Sequence, residues 1–171
     1  MNEFNLEECV MSEPNIVLTR IDNRLVHGQV GVVWTSSIGA NLLIVANDET
    51  AENELEQQLM SATAENSGVG IRFFNLQKTV DVIHKAAARQ KIFLVVRNPQ
   101  DVLTLVKGGV PVKDLNVGNM HFSEGKTEIT KKVYMDDDDK RTLKEIAALG
   151  VNVFIQDVPE DKRLMLGDAI K

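Results

Sequence analysis

The sequence is nearly without cysteine. Cys9 is the single one among 171 residues, so an internal disulfide is excluded, and its position in an irregular terminal stretch reads as an incidental thiol. Positive charge is also scarce. The 19 Lys and Arg face 25 Asp and Glu, for a formal net charge of -6. A nucleic-acid backbone as main partner calls for a basic surface, which this balance does not supply. No stretch approaches the roughly 20 apolar residues of a membrane span. The opening residues, MNEFNLEECVMSE, are acidic and lack the basic-then-apolar order of a secretory signal, so a cytoplasmic protein is expected. There is no G-x-x-x-x-G-K-[ST] segment to cradle a nucleotide. Gly68, Gly70, Gly108 and Gly109 lack the rest of a dinucleotide fingerprint and read as a turn and a helix stop, so no cofactor is expected. His27, His84 and His121 have no metal-ligand spacing, so no metal is expected either. Ser36, Ser37 and Ser123 sit in no nucleophile-elbow pattern, which argues against an independent hydrolase. Asp136–Asp139 lacks the spacing of a calcium loop and reads as the acidic start of a helix.

What is present is alternation. Hydrophobic residues make up 43% and charged residues 26%, the balance of an ordinary globular chain of one domain. Residues 1–14 read as an extension, with Met11 a possible natural start, and 15–171 as the domain. Strands are expected at Asn15–Ile21, Asn41–Ala46, Gly70–Phe74, Lys91–Val96, Asp114–Val117 and Val151–Ile155, with one more at Lys131–Tyr134. NLLIVA and KIFLVV are continuous apolar runs, as strands covered on both faces require. Helices are expected between them. Gly28–Ile38 should bury Val30, Val33 and Trp34; Glu52–Ala64 should bury Leu55, Leu59 and Ala62; Thr79–Arg89 should bury Val80, Ile83 and Ala87. Pro99–Val106, Asp139–Leu149 and Asp161–Ile170 complete the set, with Pro99 suited to a first turn and Gly108 to a helix end. This order implies an α/β domain with a mainly parallel sheet. Ligand sites in such sheets lie beyond the carboxyl ends of the strands. Three loops leave such ends: Asp22–His27, Arg97–Gln100 and Gly118–Glu124.

The first loop carries the chemistry. Arg20–Gln29 reads RIDNRLVHGQ, between a strand and a helix. His27 therefore sits near a helix N-terminus, where free N–H groups and the helix dipole favour an anion. Arg20 and Arg24 are planar donors suited to phosphate or carboxylate. Gly28 admits close approach of a bound group. A neutral imidazole is a competent nucleophile, and Asp22 could fix the ring by accepting one of its protons. Phosphoryl transfer needs chiefly positioning and charge stabilisation, and this loop offers both. The residues alone leave three readings open: a structural histidine, a passive anion site, and a phosphoryl carrier. His84, in DVIHKAA, reads as a surface histidine. His121, in the GNMHFSE loop, is a candidate for a supporting role or a plain loop residue.

RIDNRLVHGQV resembles the active-site segment of enzyme IIB of the bacterial phosphotransferase system, in the mannose-fructose-sorbose family. NVGNMHF at Asn116–Phe122, Gly125-Lys126-Thr127, Asn98-Pro99 with Val102, and LVKGG at Leu105–Gly109 carry the resemblance over about Asn15–Gln156. It implies a doubly wound, mostly parallel seven-stranded sheet with helices on both faces. It further implies that His27 accepts a phosphoryl group at Nδ1 from the phosphohistidine of enzyme IIA. The group then passes to a sugar entering through the membrane proteins IIC and IID, so that the chain is a phosphotransferase at the cytoplasmic side of a transporter. By position, Arg20 and Arg24 would stabilise the phosphoryl group, while Asp22, Gly28 and Gln29 would shape and line its site. IRFF at Ile71–Phe74 and VNVFIQDV at Val151–Val158, with the first motif, resemble the N-acetylgalactosamine or galactosamine members. A IIB for mannose, fructose or sorbose, and a non-catalytic anion- or partner-sensing module of the same fold, are the alternatives. A homodimer is implied by resemblance only.

Overall fold

The computed structural model describes residues 13–171; Cys9, Met11 and most of the expected extension lie outside the described residues. Strand β1 (Asn15–Asp22) is the centre of the sheet, and β2 (Leu42–Ala46), β3 (Gly70–Phe74), β4 (Lys91–Val96), β5 (Asp114–Asn119) and β8 (Asn152–Ile155) flank it. The order is β3-β2-β4-β1-β5-β8-β9. Every pairing is parallel except that of β9 (Leu164–Met165), which runs antiparallel to β8. The expected seven-stranded, doubly wound sheet is thus present, but its edge strand comes from a segment expected to be helix. Only Leu166–Ala169 of that segment is helical, as α6. A hairpin of β6 (Thr127–Thr130) and β7 (Val133–Met135) stands apart from the sheet.

Two apolar layers bury the sheet. One joins Leu18, Leu43, Val45, Phe93 and Val95 to Val30, Trp34, Met60 and Ala64. It lies under the helix after β1 and under α2 (Glu54–Asn66). The other joins Ile44, Leu94 and Val96 to Ile83, Val102, Leu105, Leu143 and Ile146. It lies under α3 (Leu76–Val82), α4 (Pro99–Lys107) and α5 (Asp137–Ala148). The connection leaving β1 therefore crosses one face, and that leaving its neighbour β5 crosses the other. The gap between their carboxyl ends is the switch point where such folds bind ligands.

Three helices differ from the expected pattern. On α2, Leu55 and Leu59 are 67% and 65% exposed, while Met60 and Ala64 are buried. Val33 is exposed. The α3 helix starts at Leu76, because Asn75 caps it by accepting from the Lys78 N–H at 2.7 Å. It gives way after Val82 to a 3₁₀ turn over Ile83–Lys85. The helix after β1 is π-wound over Gln29–Trp34 and α-helical only in α1 (Thr35–Ile38). The cause is local. The Thr35 and Ser67 hydroxyls both donate to the Gly31 carbonyl, at 2.8 and 2.7 Å, and take up its acceptor capacity. At α5, Asp136 and Asp139 form a capping box. Asp139 is buried against Lys126 at 3.0 Å rather than solvated.

Candidate active site

Alternation along β1 turns Leu18, Arg20 and Asp22 to one face, the face that meets Trp34. After Asp22 the chain turns, with the Leu25 N–H donating to the Asp22 carbonyl at 3.0 Å. Leu25 has φ 57°, the one non-glycine residue with positive φ among the described residues. Such a residue costs about 1–3 kcal/mol and persists where the surroundings hold it; Leu25 is fully buried. The turn carries His27 back over the end of its own strand.

His27 Nε2 lies 3.0 Å from Asp22 Oδ2. An ionised carboxylate only accepts, so Nε2 must carry the proton and Nδ1 is left with its lone pair. The ring is 18% exposed and Asp22 is fully covered. Asp22 Oδ1 also accepts from the Arg24 N–H at 3.0 Å, and Oδ2 from Arg20 Nη2 at 3.3 Å. Burial by itself would raise the Asp22 pKa. The hydrogen bond and charge of His27, then Arg20 and the Arg24 N–H, outweigh it and hold the carboxyl below its ordinary value. At Arg20 the balance is opposite: burial lowers its pKa against the pull of Asp22. A guanidinium nevertheless stays charged at neutral pH.

Arg20 is fully buried. Its Nη1 donates to Asn116 Oδ1 at 2.6 Å and to the carbonyls of Gln156 and Asp157 at 3.1 and 3.2 Å. Its guanidinium lies 5.0 Å from the centroid of the Trp34 ring. The Asp157 carbonyl further accepts from Gln29 Nε2 and Trp34 Nε1, each at 3.0 Å. Gly118 makes room for this arrangement, since a Cβ there would fall on Arg20 Cζ and both Nη atoms. The two arginines are placed differently. Arg20 is turned inward onto Asp22, and Arg24 alone is exposed. The Gln29 amide donates to Asp157, as a residue that shapes the loop would. Gly28 is exposed, with right-handed backbone (φ −47°) and open space around its Cα. What it contributes is clearance at the helix start rather than unusual torsion.

The loop after β5 is brought to the site as expected: the His121 N–H donates to Asn23 Oδ1 at 2.6 Å. The Arg97–Gln100 loop also starts beside β1, since Ile21 stands opposite Val96 in the β1–β4 register, but its side chains are engaged elsewhere. Arg97 pairs with Glu49 at 3.0 Å, Asn98 caps α4 and Gln100 binds Asp138. His84 meets the Gly109 carbonyl far along the chain from the site loop. Asn116, Gly118, Trp34 and Asp157 were not singled out as site residues. The carboxyl-end rule for parallel strands is the signal that points to three of them, at the ends of β5 and β8.

A buried carboxylate fixing one imidazole nitrogen at a helix start, with an exposed arginine on the same loop, is an arrangement suited to a nucleophilic or phosphoryl-carrying histidine. Comparison with known proteins gives the family. Residues 16–171 match the family described as "PTS system sorbose subfamily IIB component". An N-acetylgalactosamine-specific phosphotransferase enzyme IIB component 1 from Escherichia coli (strain K12) is 61% identical over 158 residues, covering 92% of this chain and 100% of that protein. The crystal structure of an N-acetylgalactosamine-specific IIB component 1 from Escherichia coli superposes with a TM-score of 0.86 at 62% identity, over 88% of this chain and 99% of the other. The mannose-specific EIIAB component of Escherichia coli (strain K12) is 35% identical over 91% of this chain but only 48% of its own length. The chain belongs to the sorbose subfamily of IIB components of the phosphotransferase system. It is a phosphotransferase component of sugar uptake.

Proposed function

We propose that His27 accepts a phosphoryl group at Nδ1 from the phosphohistidine of a IIA protein and delivers it to N-acetylgalactosamine or galactosamine entering through IIC and IID. One observation carries this reading: Asp22 holds Nε2 at 3.0 Å, which leaves Nδ1 as the nucleophile. In the first step the Nδ1 lone pair forms the new P–N bond as that of the donor breaks. In the second, a sugar hydroxyl oxygen attacks phosphorus and the P–Nδ1 bond breaks. The hydroxyl proton passes to a phosphoryl oxygen or to water, and the released imidazole keeps its Nε2–H on Asp22 and its Nδ1 lone pair for the next transfer. Arg24 and the first-turn N–H groups at Gly28 face the transferring group, while Arg20 and Gln29 hold the framework behind it.

The IIA partner is supported by the mannose-specific relative, whose name joins A and B in one chain. The sugar is supported by the N-acetylgalactosamine-specific relative. On this reading the chain works at the cytoplasmic face, associated peripherally with IIC and IID. Every group used comes from one copy, so the chemistry does not call for a homodimer. A purely sensing module is disfavoured, because it has no use for an imidazole with a freed nucleophilic nitrogen. Incubation with phosphorylated IIA should add one acid-labile, base-stable phosphoryl group, seen by intact mass. Absence of label on the wild type, or equal label on His27→Ala, overturns the reading.

A further inference from the structure

Helix α2 carries two apolar rows. Met60 and Ala64 are buried against the sheet, while Leu55, Leu59 and Ala62 are exposed. The exposed three stand at i, i+4 and i+7, the spacing of a helix face that meets a surface. No described element covers them. A contiguous apolar row left in water marks an interaction face.

Its place in the fold follows from the connections. The helix after β1 and α2 each join two parallel strands and lie on the same face of the sheet, so the two helices run parallel to each other. They meet at Gly31 and Thr63, where a Cβ on Gly31 would fall 2.6 Å from Thr63 Cγ2. One turn before Gly31 is His27, whose carbonyl accepts from the Gly31 N–H at 2.7 Å. One turn before Thr63 is Leu59, whose carbonyl accepts from the Thr63 hydroxyl at 3.3 Å. Leu59 therefore stands level with His27 on the neighbouring helix, and packed helix axes lie about 8–10 Å apart. Leu55 is one turn nearer the carboxyl ends of the strands.

We infer that Leu55, Leu59 and Ala62 form a docking face for the phosphoryl-donor IIA protein, fitting an apolar patch beside the donor's own histidine. This rests on His27 as the acceptor of that phosphoryl group. The chemistry selects the donor over the membrane partner. In the donor step phosphorus lies between two imidazole nitrogens with no other atom between them, so the two protein surfaces touch around the rings. In the acceptor step the sugar lies between the proteins and holds their surfaces apart. A row level with His27 and one helix away falls inside the donor's footprint.

The full chain is labelled by phosphorylated IIA over a range of concentrations. It is labelled separately by phosphoramidate, a small donor that loses ammonia and needs no docking face. Glutamine suits exposed helical positions, so the paired variant Leu55→Gln with Leu59→Gln keeps its fold. It should raise the half-saturating IIA concentration about ten- to a hundred-fold, with the maximal rate and the phosphoramidate labelling unchanged. Leu149→Gln, at an exposed leucine ending α5 on the other face of the sheet, should change neither. Titration with unphosphorylated IIA, read at the Leu55 and Leu59 methyl resonances, follows docking apart from transfer. An unchanged half-saturating concentration, or methyl resonances that ignore IIA, overturns the inference. So does a paired variant that is labelled normally and fails only in sugar-dependent dephosphorylation with membranes carrying IIC and IID, since the face then belongs to the acceptor. Wild type that binds IIA through this face but takes label from neither donor keeps the face and removes the relay.

Discussion

Asp22→Asn separates orientation from mere presence of the histidine. The substitution keeps size and removes the charge. Asp22 is fully covered and accepts from His27, Arg20 and the Arg24 N–H. Only the His27 bond bears on which imidazole nitrogen is nucleophilic. A hydrogen bond to a charged group contributes about 1.5–3 kcal/mol. At 1.4 kcal/mol per tenfold, its loss lowers the ratio of the Nδ1-free tautomer to the other by about 10- to 150-fold. If the amide turns its NH₂ to Nε2, the proton is held on Nδ1 and the loss approaches about 10⁴-fold, the scale seen when the same change is made behind a catalytic histidine. The assay is the initial rate of His27 labelling by phosphorylated IIA, with phosphorus NMR to assign the nitrogen. A thermal melt checks folding, since the variant leaves Arg20 buried without its carboxylate, at a cost of up to about 3–5 kcal/mol. A folded Asp22→Asn protein that labels at the wild-type rate on Nδ1 refutes the reasoning.

Other consequences are separable. Gly118→Ala should destabilise by about 1–3 kcal/mol or more, because its Cβ meets the Arg20 guanidinium. Chemical denaturation should show that penalty shrinking in an Arg20→Ala background. The Asp22 pKa is depressed in the folded state. Its stabilisation is therefore complete above the unfolded carboxylate value of about 3.9 and disappears as pH falls through the lower folded value. Denaturation across acid pH should find the wild-type advantage over Asp22→Asn closing only below about pH 4. Asp101 has the opposite sign: burial, then the charge of Asp48, raises its pKa. Asp101→Asn should be more stable than wild type at neutral pH and lose that gain as pH falls through the raised pKa. On α2, Met60→Ala should cost about 2–5 kcal/mol and Leu59→Gln less than about 0.5; similar melts would contradict the observed face.

The sheet was legible because its central strands are buried on both faces. LLIVA of β2 is buried throughout, and KIFLVV of β4 is buried except at Lys91, so no polar position interrupts the run. The face of α2 was not legible. Leu55 and Leu59 form one i, i+4 row and Met60 and Ala64 another, and the rows are about 140° apart. Hydrophobicity favours the leucines, but the small Ala64 lets the helix lie close to the sheet, and packing decides. The π winding after β1 depends on Ser67, which reaches Gly31 from the far end of α2, so no local pattern records it.

The site divides along the same line. His27, Asp22 and Arg24 lie within six residues of one another, and a short loop between strand and helix announces their chemistry. Arg20 belongs to the same run but takes a different role, and alternation contains the reason. Residues i and i+2 of a strand share a face, so Arg20 between Leu18 and Asp22 is directed to the interior unless the end of the strand frees it. What makes that burial tolerable lies far away: Asn116 as acceptor, Gly118 as clearance, and the Gln156 and Asp157 carbonyls. A buried cation held this way is placed to hold Asp22 where His27 needs it. The two arginines should thus separate by measurement. Arg24→Lys should slow phosphoryl transfer while leaving the melt nearly unchanged, because Arg24 is exposed. Arg20→Lys should lower the melting temperature, since one ammonium cannot span Asn116, Asp22 and two carbonyls, and its labelling rate should fall only as Asp22 loosens. Equal effects of the two changes on rate and on stability would show that the buried and exposed guanidinium groups share one role.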